Sequence, residues 1–261
     1  MRRAAAWCLT VLGAACARAD RPARPGAPLL VYAASDLRYA LADAARHYRA
    51  AGGDSVVLVF GSTGNLTTQI ENGAPADLFF AANAEAIDTL AAHHLVVDGT
   101  RAVYAVGRLA LVARCAVPDP CPTPALADLA APAVKVVSIA DPSHAPYGRA
   151  ARQALERAGL WPRVQPKLVL GANITQAYEF VQTGNADAGL VALSLVLHTP
   201  GRSYTLVDSA LYDPLRQTVA VPTTSPRAAA AVRFLRWVRS GAGQATMRGY
   251  GFEGPRVPNG R

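Results

Sequence analysis

Charged residues are scarce in this chain. Asp, Glu, Lys and Arg make up 17% of its 261 residues, whereas 51% are hydrophobic. This composition excludes intrinsic disorder and, without any repeat array, predicts a globular protein with one large core or two smaller ones. The formal charge of +8 is scattered and forms no basic stripe with interleaved aromatic residues, which argues against a nucleic-acid partner. A modest positive balance still favours the attraction of anions.

Motifs for nucleotide binding and covalent catalysis are missing. The chain has neither a Gly-x-x-x-x-Gly-Lys-Ser phosphate loop nor a dinucleotide-binding fingerprint. The segment Gly61-Ser62-Thr63-Gly64 superficially looks like a nucleophile elbow, but Phe60 stands where that motif needs its first glycine. The five histidines show no metal-ligand spacing. The sequence therefore predicts a protein that is not an enzyme and carries no cofactor.

Residues 1–19 have the pattern of a secretory signal peptide. Met1-Arg2-Arg3 is basic, and the apolar run after it is too short to span a bilayer and ends in small residues. We expect cleavage near Asp20 and export to the periplasm. Cys16 leaves a lipid anchor open as an alternative, although Gly13 occupies the position where a lipobox usually has leucine.

Two cysteines remain after the signal region, Cys115 and Cys121. They flank the turn-forming segment Ala-Val-Pro-Asp-Pro. In an oxidising export compartment, two cysteines this close together form a disulfide, and they are too few for a Cys-only metal site. We therefore predict a Cys115–Cys121 disulfide that closes a loop.

The stretch 56–73 is typical of a buried strand, a tight turn and a short helix. Its β-branched residues predict the strand, and two glycines free the backbone for the turn. Ser62 or Thr63 is placed to cap the helix. The first amides of a helix have no internal partner and the peptide dipoles favour negative charge, so such a helix start can bind an anion.

A second unit of the same kind lies upstream. An apolar strand at Leu29–Ala34 is followed by Ser35-Asp36, which open an amphipathic helix. Each hydroxyl taken alone is most simply a helix cap. If the two strands are neighbours in a parallel sheet, however, both helix starts lie at its carboxyl edge, where ligands of open α/β folds bind. The pair therefore suggests an oxyanion as the ligand.

Strands and helices alternate along the rest of the chain, as in parallel sheets covered by helices. Tyr147 and Asn173-Ile174 stand at two further helix starts. A long apolar strand at Tyr104–Ala113 would lead out of the first lobe, and one at Gln217–Pro222 would return to it. We assign lobe 1 to residues 28–108 and 214–261 and lobe 2 to residues 109–213.

Several blocks of the sequence resemble the periplasmic molybdate-binding proteins of ABC importers. The blocks are Ala34-Ser35-Asp36-Leu37, Phe60-Gly61-Ser62-Thr63-Gly64-Asn65, Asn72-Gly73-Ala74-Pro75-Ala76-Asp77 and Ala145-Pro146-Tyr147-Gly148. Their order and spacing also match, from about Leu29 to Gly251. The resemblance implies an α/β, type II periplasmic binding-protein fold. Each of its two lobes is a mainly parallel sheet flanked by helices, and two hinge strands join the lobes.

The resemblance also implies a ligand, partners and a site. The ligand would be molybdate or tungstate, which a monomeric protein would deliver to an ABC permease and its ATPase. In that family, hydroxyls and backbone amides at helix starts of both lobes hold the oxyanion, so molybdenum would be bound only as the oxyanion. Carried over position by position, the site is Ser35, Asp36, Ser62, Tyr147 and Ile174. Ser35 and Ser62 would donate hydroxyls, Tyr147 its phenol, and Ile174 its amide.

Asp36 departs from the family, whose best-known members have Ser or Asn at this position. A carboxylate aimed at a dianion would repel it, so we expect Asp36 to contribute its amide while its side chain caps the helix or turns away. The departure leaves phosphate or sulfate open as the ligand, because a carboxylate can accept the proton that phosphate retains near neutral pH. Arg38 and Arg149 leave open an organic anion held by an arginine fork.

Overall fold

The computed structural model describes residues 26–114, 123–199 and 203–255. The predicted signal peptide and the predicted Cys115–Cys121 disulfide lie outside these ranges. The strands are β1 (Leu29–Ala34), β2 (Val56–Gly61), β3 (Leu78–Ala81), β4 (Ala102–Gly107), β5 (Leu109–Ala113), β6 (Val137–Ala140), β7 (Leu168–Gly171), β8 (Ala188–Ala192), β9 (Thr205–Leu206) and β10 (Leu215–Ala220).

The helices cover both sheets. They are α1 (Arg38–Ala50), α2 (Thr63–Glu71), α3 (Ala84–Ala92), α4 (Pro146–Arg157), α5 (Trp161–Val164), α6 (Ile174–Gln182), α7 (Leu193–Val196), α8 (Ala228–Arg239) and α9 (Gly241–Gly249). Short 3-10 turns occupy Ser35–Leu37, Leu126–Ala130, Gln165–Lys167 and Ser209–Leu211. Across the described ranges, no helix combines the length and apolar character needed to cross a bilayer.

The first sheet has the strand order β2-β1-β3-β10-β4. Strand β1 pairs in parallel with both β2 and β3, whereas β10 runs antiparallel to β3 and β4. The register sets Ala34 opposite Gly61, so β1 and β2 end at the same level. The turn Ser35–Leu37 and the start of α2 therefore lie side by side at one carboxyl edge, as the sequence predicts.

The second sheet has the order β7-β6-β8-β5-β9 and repeats this arrangement. Strand β6 pairs in parallel with β7 and β8, and Ala140 stands opposite Gly171. Helices α4 and α6 follow these two strands closely. Their starts consequently lie together at the carboxyl edge of the second sheet, facing the corresponding edge of the first.

The crossing between the sheets corrects one prediction. The run Tyr104–Ala113 is not one strand but two, since β4 belongs to the first sheet and β5 to the second. Arg108 separates them and forms an ion pair with Glu253. Both strands are apolar, and the single charged residue between them does not by itself reveal that the chain changes sheets. The segment that returns from the second sheet to the first contacts this crossing, because the Leu109 amide donates to the Tyr212 hydroxyl at 3.1 Å.

The sequence pattern predicts a helix from Ser225 to Ser240, but helix α8 begins later than that. The Ser225 hydroxyl donates to Asp77 at 2.7 Å and accepts a hydrogen bond from the Arg227 amide at 3.1 Å. This local bonding holds the chain in a turn, so the helix starts only at Ala228. Side-chain hydrogen bonds of this kind compete with helical bonding.

Each sheet has its own core. The core of the first sheet includes several aromatic rings, and Phe80 packs edge-on against Tyr104 with ring centroids 5.1 Å apart. On the opposite face of the same sheet, Leu66 and Ile70 of α2 pack in a smaller cluster. These buried contacts anchor α2, which fixes the position of its first turn at the sheet edge.

Phe234 tests the core beneath α8. Its ring is fully buried and lies 5.0 Å from the ring of Tyr48 and 6.2 Å from that of Phe80 between centroids. We expect Phe234→Ala to lower the free energy of unfolding by about 3–5 kcal/mol, because it leaves a cavity. Urea denaturation followed by circular dichroism measures the loss. Val57 is 47% exposed, so the control Val57→Ala should change the free energy of unfolding by less than about 0.5 kcal/mol. Equal losses of stability in the two variants would contradict the packing of Phe234 in the core.

Candidate functional site

The four helix starts meet at a small cavity between the two sheets. It is lined by Ala34, Ser35, Asp36, Gly61, Ser62, Thr63, Ala82, Ala145, Pro146, Tyr147 and Ile174. The structure thus brings together all five residues that the sequence proposes for the site. Water-sized spheres can occupy about 10 Å³ of it, whereas sites for drug-sized organic ligands measure about 300–1,000 Å³. A cavity this small admits a compact ion, and even a tetrahedral ion requires its lining to move slightly apart.

Ser62 is the N-cap of α2. Its side-chain oxygen accepts a hydrogen bond from the Asn65 amide at 3.4 Å, and the residue is only 4% exposed. The neighbouring Thr63 hydroxyl accepts from the Ala82 amide at 3.1 Å, which ties the start of α2 to the end of β3. The capping prediction therefore holds for Ser62, while Thr63 braces the turn.

Ser35 links the two lobes directly. Its hydroxyl donates to the Asn173 side-chain oxygen at 3.2 Å, and its carbonyl accepts from the Thr175 hydroxyl at 3.0 Å. Asn173 caps α6 by accepting from the Thr175 and Gln176 amides at 3.0 and 3.1 Å. The Ile174 amide takes part in none of the hydrogen bonds formed within the described ranges. As the first amide of its helix it has no intrahelical partner and is free to donate to a ligand.

Tyr147 follows Pro146 in the first turn of α4 and is fully buried. Its hydroxyl lies against Gly107, where an added Cβ would collide with it. Within the described part of the chain, the Tyr147 hydroxyl has no hydrogen-bond partner at normal distance and angle. Burial, reinforced by the nearby Asp36 carboxylate, raises the pKa of Tyr147 well above its ordinary value. The phenol therefore keeps its proton and remains a donor.

Asp36 turns its carboxylate away from solvent and toward β10. The residue is 1% exposed, and its Oδ2 accepts a hydrogen bond from Gln217 Nε2 at 2.7 Å. Gln217 in turn accepts from the Tyr104 hydroxyl at 3.2 Å. Burial raises the pKa of Asp36 from 3.8 to about 7, against the opposing effects of the Gln217 hydrogen bond and of the nearby Tyr147 hydroxyl. The second carboxylate oxygen, Oδ1, is buried without a described hydrogen bond of normal geometry.

Sequence reasoning did not identify Gln217 or Tyr104 as part of this environment. Both are fully buried within strands whose other residues are mostly apolar. A buried amide and phenol need partners, because an unsatisfied polar group is costly in a core. In the sequence, the only sign of this hydrogen-bond network is a glutamine inside a mostly apolar strand. That sign does not indicate which residue the glutamine bonds.

Further polar contacts hold the lobes against each other. The Gly64 amide donates to the His144 carbonyl at 2.9 Å, and the Ser194 hydroxyl donates to the Asp36 carbonyl at 2.6 Å. A Cβ on Gly64 would lie 2.7 Å from the His144 carbonyl oxygen. Glycine is therefore the residue that allows the two backbones to approach this closely.

The cationic residues considered for an organic anion lie elsewhere. Arg38 and Arg149 are both exposed. Arg149 borders a separate surface groove, together with Arg152 and Trp161. Neither lysine nor arginine occurs among the described residues that line the cavity. Within the same part of the chain, no three His, Cys, Asp or Glu side chains cluster in a way that could hold a metal ion.

Together, this fold and site define a two-lobed solute-binding protein that closes on a small ligand. The family model described as bacterial extracellular solute-binding protein matches residues 29–253. The chain belongs to that family, which is a family of binding proteins and not of enzymes.

Individual relatives agree with this assignment. The chain is 36% identical to the molybdate-binding protein ModA of Rhodobacter capsulatus, over 77% of this chain and 78% of that protein. It is also 36% identical to ModA of Azotobacter vinelandii, over 88% and 91% of the two chains. The solved periplasmic molybdate-binding protein of A. vinelandii superposes with a TM-score of 0.81 at 27% identity, covering 87% of this chain and 100% of that one. The predicted two-lobed α/β fold is confirmed.

Gly64→Ala should preserve the fold and oppose closure. The new Cβ meets the His144 backbone, whereas alanine favours a helix over glycine by about 1 kcal/mol. We expect thermal stability to be maintained and the radius of gyration of the anion-loaded protein, measured by small-angle X-ray scattering, to increase. Gly249→Ala is the matched control, since nothing lies within 4 Å of its added Cβ. A Gly64→Ala protein as compact as the wild type would disprove the steric argument.

Proposed function

We propose that this protein captures molybdate, or tungstate, between its lobes and delivers it to an ABC importer. The observation that carries the proposal is the convergence of uncharged donors from both sheets on one small, buried cavity. Such donors interact more strongly with an anion in a closed cleft than in water. The relatives named as molybdate-binding proteins support the choice of ion.

Within this proposal, each site residue contributes one kind of donor. Ser62 and Ser35 donate their hydroxyls, and Ser62 and Asp36 add backbone amides from the first lobe. From the second lobe, Ile174 donates its amide and Tyr147 its phenol. The Ser35 hydroxyl now bonded to Asn173 would turn to the ion when the ion enters. A tetrahedral dianion presents four oxygens, which suits a donor set arranged around it.

Delivery depends on the lobes moving as units. We propose lobe 1 as residues 28–108 and 214–261 and lobe 2 as residues 109–213, with the crossings near Arg108 and Asp213 as the hinge. Ligand contacts from both lobes favour the closed form, which a permease with its ATPase would recognise. We further propose a monomer exported to the periplasm by the signal peptide in residues 1–19, with lipid anchoring at Cys16 as the alternative.

A second candidate keeps the fold and changes the ion. The buried Asp36 carboxylate could accept a hydrogen bond from a protonated phosphate, and sulfate needs donors only. We favour molybdate because Gln217 already occupies one Asp36 oxygen and the matched relatives bear that name.

Ser62→Ala tests the donor set. A hydrogen bond to a charged group contributes about 1.5–3 kcal/mol, so the molybdate Kd should rise about 10- to 150-fold. Isothermal titration calorimetry measures this change. Arg149→Ala, an exposed position outside the cavity, is the control and should leave the Kd unchanged. Loss of affinity in Arg149→Ala but not in Ser62→Ala would favour an organic anion instead.

Competition among ions tests ligand identity. Titrations of the wild-type protein with molybdate, tungstate, sulfate and phosphate should give the tightest binding for molybdate or tungstate. A preference for phosphate that Asp36→Asn abolishes would replace the proposed ligand, since it would show Asp36 acting as an acceptor for a protonated ion.

A further inference from the structure

Asp36 is the one carboxylate in the described lining of the cavity, and the donor set proposed above does not use its side chain. One oxygen, Oδ2, is taken by Gln217 at 2.7 Å. The other, Oδ1, and the Tyr147 hydroxyl are both buried without a described hydrogen bond of normal geometry. The two groups nevertheless lie close enough for each to shift the pKa of the other.

The hydrogen bonds around Asp36 run in one direction. Tyr104 donates to Gln217, and Gln217 donates to Asp36. The phenol of Tyr147 has one hydrogen, which can serve either an ionised Asp36 or a bound oxyanion, but not both. If Oδ1 carries a proton, that proton can be donated to the Tyr147 oxygen, and the phenol hydrogen is released to the ion. A protonated Asp36 would therefore complete the donor set and also remove a negative charge from beside a dianion.

Among the residues that the structure describes, no lysine or arginine lines the cavity beside Asp36. The described groups around it are Tyr104 on β4, Tyr147 on α4, Ser194 on α7 and Gln217 on β10. At the start of α6, Asn173 and Thr175 bond the neighbouring Ser35, and Ile174 lines the same cavity. None of them is charged at neutral pH, and Arg38, which follows on its own helix, is exposed. Burial accordingly raises the pKa of Asp36 to about 7 before any anion enters. A dianion in the cavity would raise it further.

We infer that Asp36 takes up one proton when the lobes close on the oxyanion, so that the site binds the ion and a proton together. The inference rests on the proposed function. The linkage has a definite sign. Because the pKa of Asp36 is higher in the closed form than in the open form, the affinity for the ion is greatest at pH values below the pKa of the open form. The affinity then falls as the pH rises toward the pKa of the closed form. One proton per ion means that the Kd for molybdate rises about tenfold per pH unit across this range.

Calorimetry of the full-length mature protein with molybdate tests the inference between pH 6.5 and 8.5, where molybdate itself stays a dianion. Titrations in two oxyanion-free buffers of different ionisation enthalpy count the protons taken up. We expect about one proton per ion and a Kd that rises with pH in the wild type. In Asp36→Asn the amide replaces the acid as a donor, so we expect a Kd independent of pH and binding tighter than wild type at pH 8.5.

Asp88→Asn is the matched control, because this exposed carboxylate pairs with Arg101 and lies outside the cavity lining, and it should keep the wild-type dependence on pH. Molybdate binding with a flat pH profile and no proton uptake would overturn the inference alone, as would a pH dependence that persists in Asp36→Asn. If that variant fails to fold, the proton count in the wild type decides. Absence of molybdate binding at every pH would instead overturn the proposed function, and the inference with it.

Discussion

Backbone amides that cannot bond within their own helices are the constraint on which this structure depends. Each parallel strand delivers its helix start to the carboxyl edge of a sheet. Two sheets face each other along these edges, so helix starts of both lobes line the same small cavity. An amide buried without a partner is costly, and the cleft can close stably only if caps, contacts between the lobes or a ligand satisfy these groups.

The contacts between the lobes show how this demand is met. The caps Ser62 and Asn173 satisfy some of the amides within each lobe. Ser35 bonds across to Asn173, and Gly64 bonds across to His144. These bonds are few and polar, unlike the apolar contacts inside each core. The Ser35–Asn173 bond uses a hydroxyl that the proposed ligand would also use, so binding would exchange one partner for another and leave the lobe cores intact.

The network behind the cavity joins the site to the crossing strands. Tyr104 lies on β4 and Gln217 on β10, two antiparallel strands that pair with each other at one side of the first sheet. The Tyr104 hydroxyl donates to Gln217, and Gln217 donates to Asp36. Gly107, at the end of β4, leaves room for the Tyr147 hydroxyl from the other lobe. The Asp36 side chain is therefore held by β4 and β10, the strands nearest the crossing between the sheets. Asp36 and Tyr147 each affect the pKa of the other, because these two side chains lie in one buried space.

The sequence by itself determined the local units and the grouping of the site. Apolar runs, glycines and capping residues predict β1, β2, α2 and the later βα units, because these signals act over a few residues. The resemblance of the motifs predicted which helix starts would hold a ligand, and the structure places Ser35, Asp36, Ser62, Tyr147 and Ile174 around one cavity.

Only the tertiary structure decided where the chain changes sheets and where the Asp36 side chain points. The run Tyr104–Ala113 is apolar on both sides of Arg108, and one charged residue does not show that the two halves pair with different sheets. The Asp36 carboxylate meets Gln217, which is 181 residues away in the sequence. Such pairings depend on how whole sheets stack, and neither propensity nor capping carries that information.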